Sequence, residues 1–146
     1  MKNDIREILG KRRIILDGGT GTLLAAKGLR PDQSPEDWNT ERPEEIYAAA
    51  RGYLDAGSDV ICANTFGCGP LRHADYEKLV KAAAETARKA ADNAQKEDGR
   101  KRYVALDIGP TGKLMRPSGD LSFDGAYDAF SRLVRAGAPY CDLVLI

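Results

Sequence analysis

Neither sign of charge is in excess in this chain: 22 Lys and Arg stand against 22 Asp and Glu, for a formal net charge of zero. Without a basic surplus to neutralise phosphates, the composition argues against nucleic acid and acidic membrane surfaces as partners. Long apolar runs are also missing. Mean hydropathy is −0.43, and no stretch approaches the roughly 20 apolar residues of a membrane helix. The opening Met1-Lys2-Asn3-Asp4-Ile5 lacks the apolar centre of a secretion signal. Cysteine is scarce and odd in number, three residues with no Cys-x-x-Cys pair, which predicts reduced thiols in a cytoplasmic protein rather than a disulfide framework. A single histidine and no Gly-x-Ser-x-Gly elbow argue against a Ser-His-Asp triad. What is present suffices for one domain: 146 residues, 42% of them apolar.

Four apolar runs read as strands covered on both faces: Arg13–Asp17, Asp59–Asn64, Arg102–Asp107 and Asp142–Ile146. Helical patterns separate them. A short helix is expected at Thr22–Lys27, followed by a long loop from Gly28 to Arg42. Pro43 suits a first helical turn, with Ile46, Ala49, Ala50, Tyr53 and Leu54 on one face before Gly57. An unbroken stripe runs through Tyr76, Leu79, Val80, Ala83, Ala84, Ala87, Ala90, Ala91 and Ala94, and its small residues suit close packing on a sheet. Ser122 is a candidate N-cap for a helix whose expected buried face is Phe123, Tyr127, Phe130, Leu133 and Val134. The charged residues of 77–102 read as a solvated helix face and an exposed turn. The order β-α-α-β-α-β-α-β predicts an α/β fold with a parallel sheet and right-handed crossovers.

The first three strands each end in a polar residue opening a glycine-containing loop: Asp17, Asn64 and Asp107. Ligands of parallel α/β folds bind at the carboxyl ends of strands. Any one of these residues could simply satisfy loop backbone donors; the three together point to a site for a polar molecule, or for a hard cation such as Mg²⁺. Gly18 and Gly19 permit close backbone approach and exposed N–H groups. Gly19-Thr20-Gly21 begins like a dinucleotide fingerprint, but Leu24 stands at its third glycine. Gly112-Lys113 ends like a phosphate loop, but Leu114 follows. Cys62, Cys68 and His73 lack the spacing of a structural zinc site. Cys62 and Cys141 read as small buried apolar residues, and His73 as a surface residue near a helix start.

Taken in order, Asp17-Gly18-Gly19-Thr20-Gly21-Thr22, Trp38-Asn39, Pro43-Glu44, Tyr53–Asp59, Asn64-Thr65-Phe66-Gly67, Asp107-Ile108-Gly109-Pro110-Thr111-Gly112 and Asp142–Ile146 resemble the homocysteine S-methyltransferase family. The Gly-Pro-Thr-Gly loop is most similar to the homocysteine-binding modules of cobalamin-dependent methionine synthases. The resemblance implies a (β/α)8 TIM-type barrel that binds homocysteine and a zinc ion on three cysteine thiolates. The zinc-activated thiolate accepts a methyl group to give methionine, with methylcobalamin as the donor this resemblance favours. It further implies that Asp17 holds the amino-acid end of homocysteine by charge and Gly18 by its backbone N–H. Gly19, Asn64, Thr65 and Asp107 complete the implied substrate-binding set.

None of Cys62, Cys68 and Cys141 matches the family's zinc cysteines, which come from later strands. Residues 1–146 are therefore expected to be a single partial domain, the N-terminal half (four βα units) of the barrel, without zinc ligands and inactive alone. The expected partners are homocysteine, the missing C-terminal half and the donor-binding modules. Open strand edges also predict exposed apolar surface and possible self-association. A non-catalytic half-barrel that binds a small amino acid or itself is the alternative.

Overall fold

The computed structural model describes residues 4–146. Three strands form one parallel sheet in the order of the sequence: β1 (Val60–Cys62), β2 (Tyr103–Asp107) and β3 (Leu143–Leu145). Ile61 pairs with Val104, and Leu106 with Val144. The helices are α1 (Thr20–Ala26), α2 (Trp38–Glu41), α3 (Pro43–Asp55), α4 (Tyr76–Asp98) and α5 (Phe123–Gly137).

The expected first strand, Arg13–Asp17, does not form as a full strand. Leu16 makes a single parallel bridge to Val60, supported by the Asp17 N–H on Val60 O at 3.0 Å and the Val60 N–H on Ile15 O at 3.1 Å. It lies at the edge of the sheet with a neighbour on one side only, and Ile15 and Leu16 are 57% and 45% exposed. The expected Gly28–Arg42 loop also needs correction. It contains a 3-10 turn at Pro35–Asp37 and all of α2, organised by Trp38 packing with Leu24 and Ile46 under the Arg42 guanidinium, 4.2 Å from the ring centroid.

α3, α4 and α5 all cover one face of the sheet. Leu54, the apolar stripe of α4 and Leu133 pack with Ile61, Ala63, Val104, Leu106 and Ile108. The strands run in sequential order with the covering helices on one face, whereas a doubly wound sheet puts helices on both faces. On the opposite face Val60, Tyr103 and Ala105 are covered at one end by Ile5, Ile8 and Ile14. The other end of that face carries the cavity described below.

Buried aspartates with arginine partners tie down the strand starts. Asp59, 1% exposed, accepts both Arg12 terminal nitrogens at 2.9 Å and the Ile15 N–H at 3.0 Å. Asp142 takes the Val104 N–H at 2.8 Å and pairs with Arg88 of α4. The 77–102 segment is therefore not uniformly a solvated face, because Arg88 and Arg102 are both buried along their side chains. α4 stops at Gly99, whose φ of 72° favours glycine.

α5 starts where Ser122 predicts, its hydroxyl accepting the Gly125 N–H at 3.1 Å. Of its expected buried face only Leu133 is fully buried. Ala126, Ala129, Leu133 and Gly137 face the core, whereas Phe123 and Tyr127 are 72% and 67% exposed and Phe130 and Val134 are half-buried. The helix lies too close to the sheet for the larger stripe: a Cβ on Gly137 would fall 2.4 Å from Leu106 Cδ1. The last strand is not covered on both faces either, with Val144 41% and Ile146 96% exposed. No described helix is long and apolar enough to cross a membrane.

Candidate functional site

The Leu16 bridge and the carboxyl ends of β1 and β2 open toward a cavity of about 290 Å³. Its lining includes Asp17, Gly18, Gly19, Asn64, Thr65 and Asp107, so the six residues singled out in the sequence meet in one place. Three segments supply them: the bridge-forming stretch before α1, the turn after β1 and the end of β2.

Asp17 is anchored before any ligand arrives, its Oδ2 accepting the Cys62 N–H at 2.7 Å. Burial raises its pKa, and the hydrogen bond from Cys62 opposes that shift. Asp107 is raised as well, first by burial and then by the negative charge of Asp17. Two carboxyls that resist ionising together suit an incoming cationic group, which lowers the cost of charging both. Gly18 packs on α3: a Cβ there would lie 3.1 Å from the Tyr53 hydroxyl oxygen.

The Asn64 and Thr65 side chains are largely committed to the fold. Asn64 Nδ2 donates to Pro35 O and to Asn39 Oδ1, both at 2.8 Å. Thr65 is fully buried and its hydroxyl donates to Asp107 O at 2.7 Å, linking the ends of β1 and β2. Glu36, also in the lining and 5% exposed, escaped sequence reasoning. A glutamate beside a proline in a polar segment carries no local mark of burial; only its distant partner, Gly67, reveals it.

The thiols do not assemble a metal centre. Cys62 is half-buried in the cavity wall, less enclosed than expected, while Cys68 and Cys141 are buried in the helix-side core. Burial pushes the Cys62 and Cys68 thiols far up, with Asp17 adding to the effect at Cys62 and Glu36 at Cys68. Metal-ligating cysteines need the reverse, a thiolate favoured by its surroundings. No group of three His, Cys, Asp or Glu among the described residues could hold a metal ion. This donor set does not fit zinc. His73 is half-buried in the turn before α4 and lies outside the cavity lining.

Comparison with known proteins decides the family. The profile described as homocysteine S-methyltransferase matches residues 14–146. The chain belongs to that family. It is 34% identical over 123 residues to methionine synthase of Mycobacterium tuberculosis (strain ATCC 25618 / H37Rv), covering 76% of this chain and 10% of that protein. Among solved structures, the metallated form of the homocysteine methyltransferase MmuM from Escherichia coli superposes with a TM-score of 0.81 at 25% identity, covering 97% of this chain and 56% of that one. The apo form of the same enzyme gives 0.71 at 28% identity, covering 97% of this chain and 51% of that one. The chain of this homocysteine S-methyltransferase family member thus spans about half the length of the solved relatives and a tenth of the synthase.

Proposed function

We propose that the cavity binds homocysteine, as part of an enzyme that moves a methyl group to the homocysteine thiol to give methionine. One observation carries this reading. In a chain of the homocysteine S-methyltransferase family, Asp17, Gly18, Gly19, Asn64, Thr65 and Asp107 line a single cavity at the carboxyl ends of parallel strands. Asp17, already oriented by the Cys62 N–H, pairs with the substrate ammonium, and Asp107 adds a second negative charge to the same wall. The Gly18 N–H receives the substrate carboxylate. Thr65 acts through the Asp107 backbone that its hydroxyl holds.

Residues 1–146 act here as one partial domain, four βα units of a (β/α)8 barrel, with the first unit's strand reduced to the Leu16 bridge. The proposed partners are the remaining barrel units and modules that present the methyl donor, methylcobalamin in this reading. Zinc is the thiol-activating metal that the resemblance implies, and the three thiols of this chain do not supply its site. The chain alone is therefore proposed to bind substrate without transferring methyl, in a reducing cytoplasm that keeps its cysteines free.

Titration calorimetry with L-homocysteine tests the reading. The chain is expected to bind, and Asp17→Ala to weaken binding at least tenfold, about 1.4 kcal/mol. Absence of heat with the folded wild type, or equal affinity in the variant, overturns it.

A second reading is favoured by the exposed Phe123, Tyr127, Ile15 and Leu16: a non-catalytic half-barrel that binds a small amino acid or associates with itself. Concentration-dependent sedimentation without homocysteine selectivity would support this alternative.

A further inference from the structure

The segment between α1 and α3 carries a buried carboxylate for which substrate binding as proposed has no direct use. Glu36 sits in the 3-10 turn Pro35–Asp37, on the cavity wall. Its Oε1 accepts the Gly67 N–H at 2.7 Å, and its Oε2 accepts the Ser34 hydroxyl. The approach leaves no room for a side chain at position 67, where a Cβ would fall 2.6 Å from Oε1. Burying a carboxylate is costly unless donors meet it, and here those donors lie in two different loops.

This contact begins a continuous set of locks. Asn39 Nδ2 donates to Asn64 O at 2.9 Å and to Leu79 O at 3.3 Å, while Asn64 Nδ2 returns a bond to Asn39 Oδ1. The turn after β1 then grips the end of β2. The Gly109 N–H donates to Phe66 O at 3.2 Å, and Thr65 holds the Asp107 carbonyl. A Cβ on Gly109 would lie 2.3 Å from Phe66 O, so the two backbones meet in direct contact at that seam.

We propose that Glu36 is a positioning residue of the cavity. It holds the turn after β1 by the Gly67 N–H, and that turn sets where Asn64 and Asp107 stand relative to Asp17. The proposal rests on the reading of the cavity as a homocysteine site.

The test compares Glu36→Ala, Glu36→Gln and Ala84→Leu, the last a destabilising control in the helix-side core. Amide exchange at Gly67 and Gly109 is followed by NMR, and L-homocysteine binding by calorimetry. Glu36→Ala is expected to speed exchange at both amides at least tenfold beyond the control at matched global stability, and to weaken homocysteine at least tenfold. Glu36→Gln keeps an oxygen for the Gly67 N–H and should restore binding to within threefold of wild type. Should Glu36→Ala not fold, Gly67→Ala displaces the same contact from its other side and is read identically. Exchange no faster than in the control, unchanged homocysteine affinity in Glu36→Ala, or a Glu36→Gln no better than Glu36→Ala each overturns the proposal. If the wild type itself does not bind homocysteine, the reading of the cavity fails, and the exchange comparison alone decides whether Glu36 positions the turn.

Discussion

Asp59 and Asp107 flank the sheet at opposite ends, and their surroundings shift them in opposite directions. Asp59 is held below the usual carboxylate range, first by its hydrogen bonds from Arg12. A lowered folded pKa contributes stability that is present above the unfolded value near pH 4 and is lost as pH falls through the folded value. Asp59→Asn should therefore cost about 1–3 kcal/mol at pH 7, and less in strong acid. Asp107 is raised by burial and by Asp17. The folded state then holds its proton more tightly than the unfolded chain, so stability falls as pH rises from the ordinary carboxylate pKa through the raised one. Asp107→Asn should be neutral below about pH 4 and stabilising at pH 7 by up to about 1 kcal/mol. Urea denaturation of both variants between about pH 3 and pH 7 checks the two signs. Both aspartates are visible in the sequence beside an apolar run, yet nothing local separates them. The difference is Arg12, 47 positions away from Asp59 and bonded to it at 2.9 Å.

At the scale of elements, α4 and α5 show where periodicity suffices and where it does not. In α4 all the apolar positions but Ala82 fall on one stripe, so one face is buried: Tyr76, Leu79, Val80, Ala83, Ala84, Ala87, Ala90, Ala91 and Ala94 are buried as the spacing requires. Six alanines in that stripe let the helix approach the sheet, and Ala84 is fully buried. Ala84→Leu should overpack this seam and cost about 1–3 kcal/mol in thermal or urea unfolding; a neutral result would mean that α4 has room to move. α5 offers two stripes that share Leu133, one with Phe123, Tyr127, Phe130 and Val134, the other with Ala126, Ala129 and Gly137. Hydrophobicity favours the first, but the sheet accepts the second because Gly137 lies against Leu106. The distance available between layers is a tertiary quantity, and the spacing within one helix does not contain it.

For the whole molecule, the consequence is an apolar outer face. Met115, Phe123, Tyr127, Phe130 and Val134 line a groove of about 500 Å³ along α5. Exposed patches of this kind bind apolar dyes. The double variant Phe123→Ser, Tyr127→Ser should at least halve the fluorescence of such a dye, with unfolding free energy kept within about 0.5 kcal/mol of wild type. Undiminished dye binding would place the accessible apolar surface elsewhere, with Ile15, Leu16 and Val144 at the sheet edges as the next sites to examine.

Parallel winding and the strand-end positions of Asp17, Asn64 and Asp107 were determined by the sequence itself, because apolar runs alternating with amphipathic helices have few ways to bury both. Their meeting in one cavity follows from that winding, since consecutive parallel strands end on the same rim. Tertiary structure alone decided the rest: how little of Arg13–Asp17 pairs at an open edge, which stripe of α5 is buried, and that Glu36 turns inward to Gly67. Each of these depends on a partner distant in sequence or on the space between layers, and neither is encoded in the local pattern of residues.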